Sequence, residues 1–332
     1  MISKFRIGVL VIILNFFASV AMIWGQDNPS LLQMAVPSLN IAPDARGGGM
    51  GDMGAATLPD INSQYWNAAK YAFMGSKAGV SLSYTPWLRK LVNDVALVNM
   101  TGYYKLGNSD LQAISASLRY FSLGEVNIWE NIGDVPYGLN PYEMAFDVAY
   151  SRKLSESYSM AVTLRYIRSD MGTDQNDESN AGNAFSADIS GYLEKYVLMG
   201  NAEALWSFGF NLSNIGSKIS YDGGNTNQYL PAKLTLGTGL LYPIDDYNQI
   251  GVYLDLNKYM VPYAPQKEEG ETDADYQTRV DDYKSWSSLS GMLKSFTDSP
   301  NGLLKEIMVS VGAEYSYNPV SYTHLRAHET SQ

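Results

Sequence analysis

Residues 206–213 read Trp-Ser-Phe-Gly-Phe-Asn-Leu-Ser, an unbroken alternation of large apolar residues with small or polar ones. Such period-two alternation places the two kinds of side chain on opposite faces of a β-strand. The pattern recurs at 158–166, 250–257 and 307–316. Six further stretches alternate in a similar way, and all of these stretches together predict about ten strands. The further stretches are 80–88, 95–106, 111–128, 143–154, 184–199 and 232–242.

Strand length separates the two architectures that such a pattern allows. Soluble sandwiches favour strands of about five or six residues, whereas a strand that crosses a membrane needs about 9 to 11. Most of these stretches belong to the longer class, and aromatic residues mark their ends, as an interfacial girdle requires. The sequence therefore predicts an all-β protein, a transmembrane antiparallel β-barrel over residues 78–318. The candidate girdle residues are Tyr103, Tyr104, Trp129, Tyr150, Tyr166, Tyr192, Trp206, Tyr242 and Tyr259.

The composition of the 332-residue chain agrees with this fold and excludes several functions. Hydrophobic residues make up 45% of it and charged residues 17%, against roughly 25% charged in an average soluble protein. The absence of cysteine excludes a disulfide scaffold, a thiolate metal site and a cysteine nucleophile. A net charge of -11 argues against a nucleic-acid partner.

Both ends of the chain differ from the alternating region. Residues 1–25 combine Lys4 and Arg6 with an apolar run over 7–20 and small residues before Gln26, which predicts a secretory signal peptide, with a single membrane anchor as the alternative. Residues 319–332 break the alternation and hold His324 and His328, both histidines of the chain. We interpret them as a non-native tail, with a genuine polar tail as the alternative. Under the first interpretation the barrel is truncated at its carboxyl end and has no histidine.

Two further segments do not alternate. Residues 26–77 are rich in Gly and Ala, and a segment of this kind ahead of a barrel predicts a plug, or hatch, folded into the lumen. Residues 263–303 form a long insertion with an acidic beginning and a predicted helix over 276–296. Because barrels of this type keep short turns inside and long loops outside, we expect this insertion to be extracellular. It is either a solvated surface or a site of partner contact.

No motif in the chain predicts catalysis or a cofactor. Gly49, Gly51 and Gly54 match G-x-G-x-x-G, but no strand precedes them and no βαβ unit follows, so a dinucleotide site is not expected. No nucleophile elbow is present, and with both histidines in the tail a Ser-His-Asp triad has no base. The acidic stretch 174–178 lacks the spacing of a calcium loop. We therefore expect a protein that is not an enzyme and that holds neither metal nor cofactor.

Two blocks in the predicted plug carry a resemblance to a known family. The first contains Asp44, Arg46, Gly49, Met50 and Gly51, and the second is the run Tyr65, Trp66, Asn67 with Lys70 three residues further on. These blocks resemble the PorV (LptO) proteins of the type IX secretion system, within the PorV/PorQ group, over about residues 37–318. The length and the acidic insertion favour PorV over PorQ.

The resemblance implies a fold, a location and a role. The fold would be a FadL-like barrel of about 14 strands, an even number as such barrels have, with an N-terminal hatch in the lumen. The location would be the cell outer membrane. The role would be to bind secreted proteins that carry the type IX C-terminal sorting signal and to shuttle them from the translocon to the cell-surface attachment complex. The partners would then be these cargo proteins, proteins of both complexes and membrane lipid.

Two other functions remain open. A FadL-like transporter of hydrophobic small molecules would use apolar lumen residues such as Phe121, Leu241 and Met308. A lipid-modifying enzyme, which the LptO name implies, would have to work with no catalytic set that the sequence reveals.

Overall fold

Eleven long strands form a single antiparallel sheet in the computed structural model of the protein. The structure describes residues 32–87, 94–107, 110–129, 135–172, 181–200, 202–224, 226–268, 270–298 and 302–317, and the backbone of 321–328. The signal peptide predicted at 1–25 and the acidic stretch 174–178 lie outside the described residues.

Each strand of the sheet pairs with its neighbours in chain order, except that a small two-stranded hairpin, β4 with β5, stands between β3 and β6. Each of the ten predicted stretches contains a strand of the sheet, which confirms the predicted all-β class. The predicted stretch 111–128 divides into β3 and β4 at Gly124, whose φ of 84° suits glycine alone. The strands are β1 (Ala78–Pro86), β2 (Val95–Leu106), β3 (Gln112–Leu123), β4 (Val126–Ile128), β5 (Tyr137–Leu139), β6 (Tyr142–Lys153), β7 (Tyr158–Asp170), β8 (Gly182–Met199), β9 (Ala202–Gly216), β10 (Lys233–Pro243), β11 (Asn248–Tyr259), β12 (Met308–Tyr317) and β13 (Ser321–His328).

The two faces of the sheet differ as the alternation predicts. On β7, Ser159, Thr163 and Arg165 are buried on the inner face, whereas Leu164 on the outer face is 65% exposed. An outer face of exposed large apolar side chains fits a wall that lipid covers.

Three of the expected girdle residues are exceptions. Tyr103 and Tyr192 are buried on the inner face, where they pack against the plug. Tyr259 lies on the same inward face of β11 as the buried Tyr253.

The connections distinguish two ends of the sheet. Short turns follow β2, β6, β8 and β10, and antiparallel order places them all at one end, the turn end. Long connections follow β3, β9 and β11 at the opposite end, the loop end. In barrels of this kind the longer connections are extracellular.

Residues 32–77 cross the inside of the sheet from the loop end to the turn end. Met34 bridges to Tyr229 in the connection after β9, and the Lys105 ammonium near the end of β2 donates to the Met74 carbonyl oxygen over 2.6 Å. The chain then continues directly into β1. The regular elements of the segment are short: a 3-10 turn Pro37–Asn40, helix α1 (Ala45–Gly49), helix α2 (Ser63–Trp66) and a 3-10 turn Ala68–Phe73.

Apolar clusters hold the plug at both ends. Val36 and Leu39 pack with Ile167 and Ile219 near the loop end. Near the turn end, Tyr71 packs with Tyr103 and its ring stacks on that of Tyr103 at 4.9 Å between centroids. The described part of the segment therefore packs on the inner face of the sheet.

The insertion after β11 contains two helices where the sequence predicts one. Helix α3 (Asp273–Ser285) is separated from helix α4 (Ser288–Thr297) because Trp286 and Ser287 are extended. The Ser287 hydroxyl then caps α4 by accepting from the Ser290 N–H. A 3-10 turn, Leu303–Glu306, leads into β12. Among the described residues, no helix is both long enough and apolar enough to cross a membrane.

The sheet has β1 and β13 as its edge strands, and within the described residues these two do not pair with each other. The backbone of 321–328 pairs with β12, from Ser321 opposite Tyr317 to His328 opposite Ser310. This strand, in the segment interpreted as a non-native tail, is the one strand of the eleven-stranded sheet that the sequence does not predict. The short strand β5, outside that sheet, is not predicted either.

Glycines on the inner face let the plug backbone approach the strands. A Cβ at Gly209 on β9 would lie 1.9 Å from the Ala55 carbonyl oxygen, and one at Gly312 on β12 would lie 2.7 Å from Met53 Sδ. Glycine inside a strand often marks such a close backbone approach.

We expect Gly209→Ala to destabilise the protein by about 1–3 kcal/mol or more, because the added methyl group displaces plug backbone that cannot give way. Urea unfolding of the protein in micelles, followed by tryptophan fluorescence, measures this change. Gly75→Ala is the matched control, since a Cβ there meets no atom within 4 Å. Equal stability of the two variants would contradict the close packing.

Candidate functional site

The two family blocks meet inside the plug, where they hold its helices together. Asp44 precedes α1, and its Oδ2 accepts from the Gly47 N–H over 2.7 Å, which caps the helix. Its Oδ1 accepts from the Trp66 indole N–H of α2, also over 2.7 Å. A Cβ at Gly47 would lie 2.3 Å from the Trp66 ring. The first block therefore provides the capping carboxylate and the space that the tryptophan of the second block needs.

Arg46 connects the plug to the wall. Its Nη1 donates to Asp60 Oδ2 over 2.6 Å and to the Leu58 carbonyl oxygen over 3.1 Å. Nη2 and Nε donate to the two carboxylate oxygens of Glu314 on β12, over 2.8 and 3.3 Å. Bidentate pairing of this kind fixes geometry as well as charge.

Gly49, Met50 and Gly51 form the turn at the end of α1. Gly49 is the last residue of the helix, and Gly51 has a φ of 91°, which favours glycine. Met50 is buried with Met53 and Tyr253 of β11. The glycines of the G-x-G-x-x-G match thus serve packing and chain reversal inside the lumen.

Tyr65 and Asn67 join parts of the plug that are distant in sequence. The Tyr65 hydroxyl donates to the Leu39 carbonyl oxygen over 3.1 Å, and the Arg119 guanidinium lies over its ring at 4.4 Å. Asn67 Nδ2 donates to the carbonyl oxygens of Ala55 and of Gly191 on β8, over 2.8 and 2.9 Å.

Lys70 is a fully buried cation at the centre of the plug, with 0% of its surface exposed. Its ammonium donates to the Gly54 carbonyl oxygen over 2.8 Å and to Thr57 Oγ1 over 3.1 Å. Burial lowers the pKa of Lys70 to about 8, although the carboxylate of Asp60 acts in the opposite direction.

The carboxylates around Lys70 respond differently to the same surroundings. Burial raises the pKa of Asp44, and the hydrogen bonds from Gly47 and Trp66 offset part of that rise. Burial also acts to raise the pKa of Asp60, but Lys70 and Arg46 outweigh it and hold that pKa below its usual range. Asp60 is therefore the ionised partner of the buried cations.

Sequence reasoning missed the wall residues that complete this site. Asp255 on β11 accepts from the N–H groups of Gly54 and Ala55, over 2.9 and 3.1 Å. Glu314 on β12 binds Arg46, and Asn211 on β9 donates to the Trp66 carbonyl oxygen over 3.0 Å. The sequence did contain a signal for these residues. Each is a charged or amide side chain on the strand face where the other side chains are mostly small or polar.

A second buried ionic network lies wholly on the inner wall. Arg165 on β7 donates to Asp147 Oδ1 on β6 over 2.6 Å and to Asp188 Oδ2 on β8 over 2.8 Å, and it also binds Asn214. Asp147, Arg165 and Asn214 border a cavity of about 30 Å³ with Asp255 and Asn211. Such a volume holds about two waters, and charged and amide side chains form part of its lining.

The apolar lumen residues proposed for a ligand path do not come together. Phe121 and Met308 are close to the loop end of their strands, whereas Leu241 is close to the turn end of β10. None of the three belongs to the apolar clusters that the described residues form.

The charged side chains around the family blocks bind groups of the plug and of the wall. Asp44, Arg46, Asp60 and Lys70 use their polar atoms to bind plug or wall groups. Within the described part of the chain, no cluster of three or more His, Cys, Asp or Glu side chains is placed to hold a metal ion.

The family blocks and the plugged sheet agree with a comparison against protein-family models. The model described as Type IX secretion system protein PorV matches residues 25–267, which include all nine motif residues and β1 to β11. The chain belongs to the PorV family. Membership places this PorV protein in the type IX secretion system. A comparison with curated proteins found no match.

We expect Arg46→Met to destabilise this PorV protein by about 3 kcal/mol, because it removes the bidentate partner of the buried Glu314 carboxylate and one of the two cations that act on Asp60. Unfolding in urea measures the loss. Lys77→Met is the matched control: it breaks an ion pair with Asp110 at 3.7 Å in which both side chains are well exposed, and such pairs contribute about 0–1 kcal/mol. Equal losses for the two variants would contradict the structural role of Arg46.

The buried Lys70 predicts a pH dependence of stability. Its pKa is about 8 when folded, against 10.5 as the ordinary value, so the unfolded chain binds more protons between these pH values. Stability therefore rises with pH across this window, by up to about 3 kcal/mol. Lys70→Met should remove this rise. Parallel unfolding curves from pH 7 to 10.5 for both proteins check the prediction, and identical pH slopes would show that Lys70 does not carry the effect.

Proposed function

We propose that this protein is exported by its signal peptide to the cell outer membrane, binds secreted proteins that carry the type IX C-terminal sorting signal, and shuttles them from the translocon to the attachment complex. Membership of the PorV family supports the secretion role. The plug is the observation that favours a shuttle role over a channel role, because it is hydrogen-bonded to strands along its path.

Among the described residues, the space beside the plug is too small for a polypeptide. The cavity of about 30 Å³ beside the plug is far below the roughly 300–1,000 Å³ of ordinary ligand pockets. Cargo would therefore bind outside the lumen. The loop end offers the larger surface, since it carries the insertion with α3 and α4 and the connection after β9.

The same packing disfavours the alternative, a FadL-like transporter of hydrophobic small molecules. Such a ligand needs a continuous apolar path, but the cavity is bordered by Arg119, Asp147, Arg165, Lys233 and Asp255. The role that we propose requires no cofactor and no catalysis. The charged groups of the plug bind it to the wall.

Crosslinking from the two ends tests where cargo binds. Because the chain has no cysteine, single-cysteine variants carry a benzophenone label at a defined place. Asp282→Cys places the label on α3 at the loop end, and Glu156→Cys places it in the exposed turn after β6 at the turn end. Both variants are reconstituted in nanodiscs with a type IX C-terminal signal domain.

We expect crosslinks to the signal domain from position 282 and none from position 156. A signal domain without its terminal residues is the control and should give neither. Absence of any binding by the folded protein would overturn the shuttle role, and crosslinks from position 156 alone would overturn the proposed side of binding.

A further inference from the structure

Helix α4 does not stand above the lumen but lies against the outer side of the wall. Its Met292 and Phe296 pack in one apolar cluster with Leu212 of β9 and Leu234 of β10. Leu212 follows the inward Asn211, and Leu234 precedes the inward Thr235, so both leucines lie on the outer face. The insertion therefore folds back over the loop end of the outer face.

A buried ion pair fixes the insertion in this place. Lys258 of β11 is an outward residue by alternation, yet it is buried, and its ammonium binds Glu306 at 2.6 Å. The same ammonium lies 5.2 Å from the centroid of the Phe296 ring. A lysine on the outer face is tolerated here because α4 and the turn before β12 cover it.

The remaining surface of α4 is divided into an apolar and a polar side. Leu289 and Leu293, four residues apart and thus neighbours on one side, are 63% and 72% exposed. Helical geometry places Ser290, Lys294 and Thr297 on the other side. The Lys294 ammonium lies 3.6 Å from the centroid of the Trp286 ring, a pairing of residue types that are enriched at membrane interfaces.

The exposed leucines continue the lipid-facing surface of the wall. From Leu212 toward the turn end of β9, the outward residues are Phe210, Phe208 and Trp206, and their register partners on β10 are Leu236, Thr238 and Leu240. Helix α4 covers the loop-end margin of this apolar band. A helix at such a margin with one apolar and one polar side is typical of an interfacial amphipathic helix.

Helix α3 provides the contrast within the same insertion. It has no buried residue, and charged side chains occur along its length, among them Asp273, Arg279, Asp282 and Lys284. The surface of α3 thus suits water, whereas the surface of α4 suits the boundary between water and lipid.

We propose that α4 is an interfacial helix whose Leu289 and Leu293 insert among the acyl chains of the outer leaflet, which anchors the insertion and holds α3 in water at the rim of the barrel. The inference rests on the proposed outer-membrane location. We infer lipid as the partner of Leu289 and Leu293 because this apolar side of α4 adjoins the apolar band of the outer wall, which faces lipid in the proposed location.

Nitroxide labelling in lipid vesicles tests this placement. Leu293→Cys and Leu289→Cys report on α4, Asp282→Cys reports on α3, and Leu164→Cys reports on the middle of the outer wall. Each label's collision rates with oxygen, which favours lipid, and with a water-soluble nickel chelate are measured by electron paramagnetic resonance in phosphatidylglycerol–phosphatidylethanolamine vesicles.

We expect the labels at 289 and 293 to be shielded from nickel and accessible to oxygen, near the values for position 164, and the label at 282 to be accessible to nickel. Nickel access at 289 and 293 equal to that at 282, with position 164 shielded, would overturn the inference and leave the membrane location intact. Nickel access at position 164 as well would overturn the location and the inference together.

Discussion

The plug is mostly irregular chain, and each buried polar group of its backbone requires a hydrogen-bond partner in a place where little water is present. Inward side chains of the strands supply these partners. Ser38 shows the principle, since its N–H donates to Glu143 and its carbonyl oxygen accepts from Arg119. Further pairs of strand side chain and plug backbone are Ser83 with Pro43, Asp255 with Gly54 and Ala55, Ser207 with Ala56, Asn211 with Trp66, Ser159 with Ala69, and Lys105 with Met74.

This requirement determines which residues the inner face carries. Where plug backbone touches a strand, the strand has glycine, as at Gly209 and Gly312. Where plug backbone needs a donor or acceptor, the strand has Ser, Asn, Asp, Glu, Arg or Lys. The low share of charged residues then has a physical origin, because the outer face is apolar and the inner face needs only the charges that the plug and the wall networks use.

The sequence predicts the wall better than the site. Alternation with a period of two locates ten strands and assigns their faces, since that signal depends on neighbours in the chain. The plug residues Asp44, Arg46, Trp66 and Lys70 are identifiable as a family block, but not their partners. Glu314 lies 268 residues from Arg46, and a pairing over that distance depends on sheet curvature and plug path. Tyr103, Tyr192 and Tyr259 are not girdle residues for the same reason, because their side chains lie on the inner face, toward the plug.

The plug also joins the parts of the wall that are most distant along the sheet. Ser83 on β1 donates to the Pro43 carbonyl oxygen over 2.5 Å, while Arg46, three residues later, binds Glu314 on β12. Residues 43–46 of the plug thus hold both edge strand β1 and strand β12, which is the neighbour of the other edge strand, β13. Because β1 follows directly from the plug, displacing the plug would free both strands at once. A plug of this kind is a structural part of the wall, which supports the proposal that cargo binds outside the lumen.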